Sequence, residues 1–333
     1  MRRTRTLLVV MAVLMILAGC GNTNPQAGGA GTEPLRLGFS AWPGWFPWQV
    51  AEEKGLFEAA GLEVELTYFE SYTDSLNALK AGQLDANSQT LGDTISSVSG
   101  GAKQVVTLVN DNSTGNDQII VAPGINSVAD LRGKTVGAEE GTVDHFLLLL
   151  GLQKEGMSAA DIDFKPLPTD AAAAAFAAGQ LDAVGAFAPF TTTALEREGS
   201  KALFTSADFP GSIPDHVVFT REFVDKRPDD VQKLTDVWFD TLAYIKANPD
   251  ESVAVMAKKA GVSVQDYADY DKGTSIFSLE QNLAAFAPGE DMANLNFAAK
   301  TIAAFLTDAK LVDETPDLSG LLDDRFVKAV DKS

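Results

Sequence analysis

Hydrophobic and polar residues alternate along the chain with two different periods. Short runs of alternating or continuous apolar residues, typical of strands, are separated by longer runs with apolar residues three and four apart, typical of helices. The first series predicts strands at 35–40, 62–70, 84–90 and 103–110, and helices at 46–61, 72–82 and 91–101. This β-α-β-α-β-α-β order predicts a mainly parallel sheet with helices on both faces.

A second series of the same kind follows and leads into a helical tail. It predicts strands at 118–123, 134–140, 161–168, 181–189 and 202–208, with helices at 127–133, 141–156, 169–179 and 190–199. From about Pro228 the pattern is mostly helical. A chain of 333 residues is too long for one ordinary core, which also favours two domains.

The hexapeptide AGQLDA occurs twice, at 81–86 and at 178–183. Each copy lies where a predicted helix ends and a strand begins, and its glycine is suited to the left-handed end of a helix. Asp85 and Asp182 then stand at the entry to a strand, where a carboxylate can accept hydrogen bonds from backbone amides. The repeat predicts two equivalent α/β units and a structural role for both aspartates.

The first residues of the chain are typical of a bacterial lipoprotein signal. Three arginines precede an apolar run at 7–18 that is too short to span a bilayer, and LAGC with the single cysteine, Cys20, follows. We predict a lipoprotein signal peptide at 1–19, lipid attachment at Cys20 and a flexible tether at 20–34. The protein is then extracytoplasmic, held at the outer face of the cell membrane or in the periplasm by acyl chains. An ordinary secretory signal with an incidental cysteine is the alternative.

The chain is strongly acidic, with a formal net charge of −20. Loss of Arg2, Arg3 and Arg5 with the signal changes this value to −23, which argues against a nucleic-acid partner and against electrostatic binding to anionic lipids. With a single cysteine, an intramolecular disulfide is impossible.

The sequence gives little sign of catalysis. His145 and His216 are the two histidines, and neither belongs to a recognisable nucleophile motif, phosphate-binding loop or metal-ligand cluster. We therefore predict that the protein is not an enzyme and that it needs no cofactor and no metal.

Four stretches of the chain resemble a known family. They are LRLGFSAWPGWFPWQVAEEKGLFEAAGLEVELTYFES, ALKAGQLDANSQTLGD, SVADLRGKTVGAEEGT and AFAAGQLDAVGAFAPF. The pairing of EKGLFEAAGLEVEL with SVADLRGKTVG at this separation is the most specific feature. In these motifs, over about 35–311, the chain resembles a substrate-binding protein of a bacterial ABC importer of the nitrate/sulfonate/taurine type.

The resemblance implies a periplasmic-binding-protein-like α/β fold, with two lobes of mainly parallel sheets joined by two crossovers and a ligand cleft between them. It also implies a monomer that captures a small molecule and delivers it to an ABC permease and, through it, to an ATPase. The implied division is lobe 1 at 35–110, a crossover at 111–117, lobe 2 at 118–208, a second crossover at 209–219, and a return to lobe 1 with C-terminal helices at 220–333.

Ligands of open parallel sheets bind beyond the carboxyl ends of the strands, so the residues that follow each strand are the candidate site. The ligand-binding candidates are Ser40, Trp42, Trp45, Tyr72, Thr90, Asp93, Asp111, Asp117, Glu140, Thr142 and Phe190. These strand-end segments contain tryptophans and carboxylates but no Lys or Arg. Ring faces attract cations and carboxylates neutralise them, so the sequence favours a small nitrogenous cation or amine, such as a guanidinium-like or quaternary compound.

Three alternatives stay open. The same binding role could serve an anion of the sulfonate, nitrate or taurine type, as the resemblance implies. A sensory lipoprotein would bind a ligand without feeding an importer. An enzyme of the pyrimidine-synthesis type has the same two-lobed fold, but the histidine and cysteine clusters of those enzymes have no counterpart in this sequence.

Overall fold

The computed structural model describes residues 33–330. The predicted signal peptide, Cys20 and nearly all of the predicted tether lie outside the described residues. From Pro34 onward the chain forms a single unit. Within the described part, no helix combines the length and the apolar character that crossing a membrane requires.

The strands and helices alternate through the first two thirds of the chain. The strands are β1 (Leu35–Ser40), β2 (Val64–Phe69), β3 (Ala86–Thr90), β4 (Gln104–Ser113), β5 (Asp117–Val121), β6 (Thr135–Ala138), β7 (Asp163–Pro166), β8 (Ala183–Phe187), β9 (Lys201–Thr205), β10 (Pro214–Thr220) and β11 (Thr274–Ile276). The helices are α1 (Pro47–Glu53), α2 (Leu56–Ala59), α3 (Tyr72–Lys80), α4 (Leu91–Ser99), α5 (Val143–Lys154), α6 (Thr169–Ala177), α7 (Phe190–Leu195), α8 (Arg221–Lys226), α9 (Pro228–Ala247), α10 (Pro249–Ala260), α11 (Val264–Tyr270), α12 (Leu279–Phe286), α13 (Leu295–Asp308) and α14 (Arg325–Ala329).

The strands form two sheets. The first has the order β11-β4-β10-β3-β1-β2, and the second has the order β7-β6-β8-β5-β9. In the first sheet β1 pairs in parallel with β2 and β3, whereas β10 is antiparallel to both β3 and β4. In the second sheet β6 is parallel to β7 and β8, and β5 is antiparallel to β8 and β9. The mixed α/β fold with two sheets agrees with the predicted fold class. The sheets are not mainly parallel as predicted, because β10 and β5 enter antiparallel to both of their neighbours and β11 is antiparallel to β4.

Three elements differ from the sequence-based expectation. β10 occupies most of the range expected to be the second crossover, 209–219, and β4 extends to Ser113, inside the range expected to be the first. The sequence of β10, PDHVVFT, shows no alternation because a strand between two others is buried on both faces. The segment 46–61, predicted as one helix, is split into α1 and α2 by Gly55, whose φ of 66° ends the first helix. How these elements divide the chain into lobes and crossovers stays a prediction.

The two AGQLDA copies occupy corresponding positions in the two sheets. Gly82 and Gly179 have φ values of 72° and 77° after α3 and α6. Asp85 accepts hydrogen bonds from the Arg36 backbone amide at 3.0 Å and from its guanidinium at 2.7 Å, which ties β3 to β1. Asp182 accepts from the Thr135 amide and hydroxyl, both at 2.9 Å, which ties β8 to β6. Each aspartate thus joins two neighbouring parallel strands.

Asp182→Ala should destabilise the second sheet without touching the region beyond the strand ends. The substitution removes the acceptor of two hydrogen bonds and leaves the partly buried Thr135 amide without a partner, a loss of about 1–3 kcal/mol in the free energy of unfolding. Urea denaturation measures this loss. Asp163→Ala on neighbouring β7 is the matched control, because the Asp163 carboxylate is 52% exposed and its ion pair with Lys165 contributes about 0–1 kcal/mol. Equal losses in the two variants would contradict the role assigned to Asp182.

Candidate functional site

A narrow cavity lies between the two sheets. The first sheet and the segments that follow or precede its strands contribute Ala41, Trp42, Trp45, Tyr72, Thr90, Ile213 and Asp215. The second sheet and α5 contribute Asp117, Val143 and Phe187. Its volume of about 10 Å³ is close to what a single water molecule needs, so the two sheets lie close together around it.

Four aromatic side chains close one part of this cavity, and we call them the aromatic box: Trp42, Trp45, Tyr72 and Phe187. The ring centroids are 6.4 Å apart for Trp42 and Trp45, and 5.5 Å apart for Trp45 and Tyr72. Phe187, from the end of β8, completes the circuit at 6.2 Å from Tyr72 and 6.3 Å from Trp42. The box therefore joins the two sheets, and its faces carry the partial negative charge that attracts cations.

The turn that carries the two tryptophans is held on both sides. The Trp45 amide donates to the Trp42 carbonyl at 3.0 Å, and the Tyr267 hydroxyl donates to the Pro43 carbonyl at 2.9 Å. A Cβ added at Gly44 would lie 1.9 Å from Asp111 Oδ2, so this position needs glycine. The sequence WPGW thus places two rings in the box and leaves space for a carboxylate behind them.

Three polar side chains are aligned across the centre of the first sheet. Asp215 on β10 is directly opposite Asp111 on β4 and Thr90 on β3, and cross-strand partners of this kind point to the same face. The Trp42 indole donates to Asp111 Oδ1 at 2.9 Å. Neither oxygen of Asp215 has a hydrogen-bond donor within residues 33–330, and the same holds for Asp111 Oδ2 and for Asp117 Oδ2 on the other side of the cavity.

Asp93 belongs to a hydrogen-bonded cluster at the start of α4. Its Oδ2 accepts from the Tyr72 hydroxyl at 2.7 Å and from the Thr90 hydroxyl at 2.8 Å. The Thr90 hydroxyl also caps the helix by accepting from the Asp93 amide at 3.2 Å, and the Thr90 amide donates to the Tyr72 hydroxyl at 3.0 Å. Asp93 therefore orients Tyr72, a member of the aromatic box, instead of lining the cavity itself.

Two more buried acids lie behind the cavity, in the second sheet and its helix α5. Glu139 accepts from the Thr169 hydroxyl at 2.8 Å and from the Thr73 hydroxyl of α3, so it bridges to the first sheet's helices. Asp144 Oδ2 lies 2.8 Å from the same Thr169 hydroxyl oxygen, and the other oxygen of Asp144 has no donor in the part of the chain that the structure describes.

The charge of this region is one-sided. Among the described residues that line the cavity, none has a basic side chain. Burial raises the pKa of Asp93, Asp111 and Asp117 to about 7 each, and it raises the pKa of Asp144 and Asp215 well above the ordinary value. Burial also lowers the pKa of His216 to about 3, so this neighbour of Asp215 is neutral. The acids are held without a compensating positive charge.

The structure brings most of the sequence-predicted residues to this region. Trp42, Trp45, Tyr72, Thr90 and Asp117 line the cavity, and Asp93 and Asp111 contact lining residues. The others do not line the cavity: Ser40 is buried, Thr142 donates to the Glu139 carbonyl at 2.9 Å, Phe190 packs on Phe187 with centroids 5.5 Å apart, and Glu140 is exposed.

Sequence reasoning missed five lining residues. Ala41, Phe187 and Val143 lie within one or two positions of predicted strand and helix ends, so their neighbours were chosen instead. Ile213 and Asp215 were missed because β10 was not recognised as a strand. An aspartate and a histidine beside Val217 and Val218 are unusual in a buried segment, and that contrast is the one signal that could have identified Asp215.

The raised pKa values predict how the stability of the ligand-free protein depends on pH. Asp93, Asp111 and Asp117 bind protons up to about pH 7 when folded, but only to about pH 4 when unfolded. The folded state therefore holds more protons in that window, and the free energy of unfolding falls as pH rises through it. We expect a lower Tm at pH 8 than at pH 5.5 in a thermal melt.

Asp117→Asn should weaken this pH dependence, whereas Asp163→Asn, on exposed β7, should leave it unchanged. A Tm that rises from pH 5.5 to pH 8 in the ligand-free protein would show that the buried acids do not dominate the titration.

Comparison with known proteins places this fold among binding proteins. The model of the NMT1-like family matches residues 28–260. A putative binding protein of Brucella abortus (strain 2308) is 32% identical, covering 77% of this chain and 78% of its own. A putative aliphatic sulfonates-binding protein of Bacillus subtilis (strain 168) is 26% identical over 97% and 95%. A putative ABC transporter periplasmic binding protein of Brachyspira hyodysenteriae is 23% identical over 74% of each.

Solved structures share the fold. The alkanesulfonate-binding protein SsuA of Xanthomonas axonopodis pv. citri, bound to MOPS, superposes with a TM-score of 0.75 at 20% identity, covering 89% of this chain and all of its own. The desulfurization enzyme DSZB superposes with a TM-score of 0.61 at 17% identity, over 88% and 98%. The predicted periplasmic-binding-protein-like fold and the resemblance to the nitrate/sulfonate/taurine type are confirmed. The chain belongs to the NMT1-like family.

Proposed function

We propose that the protein is the solute-binding component of an ABC importer, which encloses one small ligand between its two sheets and delivers it to a membrane permease coupled to an ATPase. The observation that carries this proposal is the cavity, because residues from both sheets line it jointly. A ligand that contacts both sheets stabilises the closed arrangement, in which the sheets lie close together around it. A permease can then recognise the ligand-bound protein by that arrangement. The names of the Brucella and Brachyspira relatives support the same role.

A binding role also suits the residues of the site. The cavity combines aromatic rings with buried carboxyls, and the described residues that line it include no Ser, Cys, Lys or His that could act as a nucleophile or base. The names of the family relatives are mainly those of binding proteins, although DSZB shows that the fold also serves an enzyme. A sensory protein that binds the same ligand is the alternative, and loss of ligand uptake on deletion of the gene would distinguish an importer component from it.

Membrane attachment is a further part of the proposal. We infer from LAGC and the arginine-led apolar run that Cys20 carries the lipid that holds the protein outside the cell membrane. Cys20→Ser should move the protein from the membrane fraction to the soluble fraction on cell fractionation, because a bilayer-inserted acyl chain is the only anchor we infer. An unchanged membrane fraction in the variant would contradict lipid attachment at this residue.

The relatives and the cavity favour different ligands. The names of the Bacillus relative and of the Xanthomonas structure favour a sulfonate-type anion, the alternative of the sequence analysis, over a nitrogenous cation. For such an anion the cavity offers the Trp45 indole N–H, which has no acceptor within residues 33–330. The second candidate ligand is therefore a small alkanesulfonate.

The charge of the cavity supports a small cation more strongly. A sulfonate would enter a site with Asp117 and Asp215 in its lining and Asp111 beside them, and each of these carboxyls would have to be protonated. A cation would instead supply the charge that these buried groups lack, and the aromatic box would add cation–π contacts. On the geometry of its own cavity, we propose a small nitrogenous cation as the ligand.

A thermal-shift panel decides between these ligands, followed by calorimetric titration of any compound that raises the Tm. We expect guanidinium and methylammonium chlorides to raise the Tm, and methanesulfonate, taurine and nitrate to leave it unchanged. Trp45→Leu removes a ring face and should weaken cation binding by more than about 1 kcal/mol, whereas Trp45→Phe keeps a face and should weaken it less.

Trp48→Phe is the matched control for the tryptophan variants. Trp48 packs on Trp238 in the core with centroids 4.7 Å apart, so its substitution should lower stability and leave affinity unchanged. Stabilisation by sulfonates alone would refute the cation and leave the transport role intact.

A further inference from the structure

One carboxyl pair in the cavity has a geometry that the proposed binding role does not by itself require. Asp111 and Asp215 are direct partners across β4 and β10, and neither Asp111 Oδ2 nor either oxygen of Asp215 has a hydrogen-bond donor within residues 33–330. Asp111 Oδ1 is already occupied by the Trp42 indole. Two ionised carboxylates placed together in a buried position without donors repel each other, so burial favours a proton on one of them.

The surroundings of the pair offer no positive charge to replace that proton. The titratable groups around it are carboxyls or phenols: Asp93 on α4, Asp117 on β5, Asp144 on α5, Glu139 after β6, Tyr72 on α3 and Tyr267 on α11. His216, the next residue on β10, is wholly buried, and no hydrogen-bond partner for its ring nitrogens lies within residues 33–330. Repulsion between two neighbouring carboxylates allows only one member of such a pair to ionise easily.

We propose that the Asp111–Asp215 pair carries one shared proton in the empty cavity and releases it when a small cation bearing N–H groups binds. The ligand's charge then replaces the proton's charge. The balance is simple: the protonated pair and the cation give the ionised pair bound to the cation, plus one proton released to solvent. The inference rests on the proposed function, since it concerns the ligand of the same cavity.

The free acceptors around the cavity specify the kind of cation. Both oxygens of Asp215 and Oδ2 of Asp117 are buried without donors in the described chain, on opposite sides of the cavity. A buried acceptor left without a donor is costly, and an N–H group removes that cost whereas an N–CH₃ group does not. A planar amidinium or guanidinium, or a primary ammonium, satisfies several of these oxygens at once. A quaternary ammonium has no N–H group, so it contacts the aromatic box but leaves these oxygens without donors.

Proton release makes affinity depend on pH in a defined direction. Below the pKa of the pair, each unit of pH lowers the proton activity tenfold, so the affinity for the cation rises up to tenfold per unit. Above that pKa the pair is already ionised and the affinity becomes constant. The affinity for a sulfonate would instead fall as pH rises, because its binding requires additional protons on the carboxyls.

Isothermal titration of the mature protein with guanidinium chloride at non-denaturing concentration tests the proposal. Titrations at pH 8, where Asp117 with its pKa of about 7 is already ionised, in phosphate and in a buffer of larger ionisation enthalpy give the number of protons exchanged. We expect release of close to one proton, an affinity that increases between pH 5.5 and pH 7, and binding at least tenfold tighter for guanidinium than for tetramethylammonium. Binding with no proton exchange, or with proton uptake, would overturn the proposal.

Two asparagine variants separate the pair from the rest of the cavity. Asp215→Asn removes the shared proton, so it should abolish proton release and flatten the pH dependence of whatever affinity is left. Asp117→Asn is the matched control: it removes one carboxyl from the lining, so it should weaken binding but keep the proton release, because the pair is intact. Proton release that persists in Asp215→Asn would also overturn the assignment.

The outcome distinguishes this inference from the proposed function. If methanesulfonate or taurine binds and no cation does, the proton-exchanging cation site is refuted, and the protein is still a solute-binding component. If neither the cations nor the sulfonates bind, with folding verified by circular dichroism, both the inference and the ligand classes of the proposed function fail.

Discussion

The candidate site depends on holding several carboxyl groups out of water between two sheets. Asp111, Asp117 and Asp215 are each at most 1% exposed, and within the described chain their charges have no cationic partner. Burial of an ionised carboxylate in such a place is costly, so the empty site binds protons instead. The aromatic box, the glycine at position 44 and the central placement of β10 all serve to bring these groups together in a closed space.

The topology explains why such a site forms at this position. The chain leaves the first sheet at the end of β4 and returns in β10, which enters antiparallel between β3 and β4. The start of β10 therefore lies beside the ends of β3 and β4, and Asp215 stands between Thr90 and Asp111. An inserted antiparallel strand thus adds a carboxyl from a distant part of the chain to the edge where parallel strands end and ligands bind.

Much of this could be predicted from the sequence, because strand and helix periods are local. The alternation that indicated β1 to β4, and the glycine that ends each helix, depend on residues within a few positions. Trp42, Trp45, Tyr72, Thr90 and Asp117 were identified because strand ends can be located in this way. Asp215 could not, since a strand buried on both faces has no alternation, and the pairing of Asp215 with Asp111 joins residues about a hundred positions apart.

The AGQLDA repeat shows that aspartates of this fold can have a purely structural role, separate from the chemistry of the site. Asp85 and Asp182 are carboxylates that receive strong donors from a neighbouring strand, and hydrogen bonds lower the pKa of Asp182. Asp111 and Asp215 are the same residue type in a place where burial dominates, so their pKa values move the other way. The number of donors that reach each carboxylate therefore decides whether an aspartate of this fold joins two strands or is left with unpaired oxygens beside the cavity. By that criterion, this chain would bind a sulfonate, as the names of its relatives indicate, only if a cavity lined by uncharged and acidic side chains can hold an anion. The unoccupied acceptors of Asp117 and Asp215 argue for a donor-bearing cation instead.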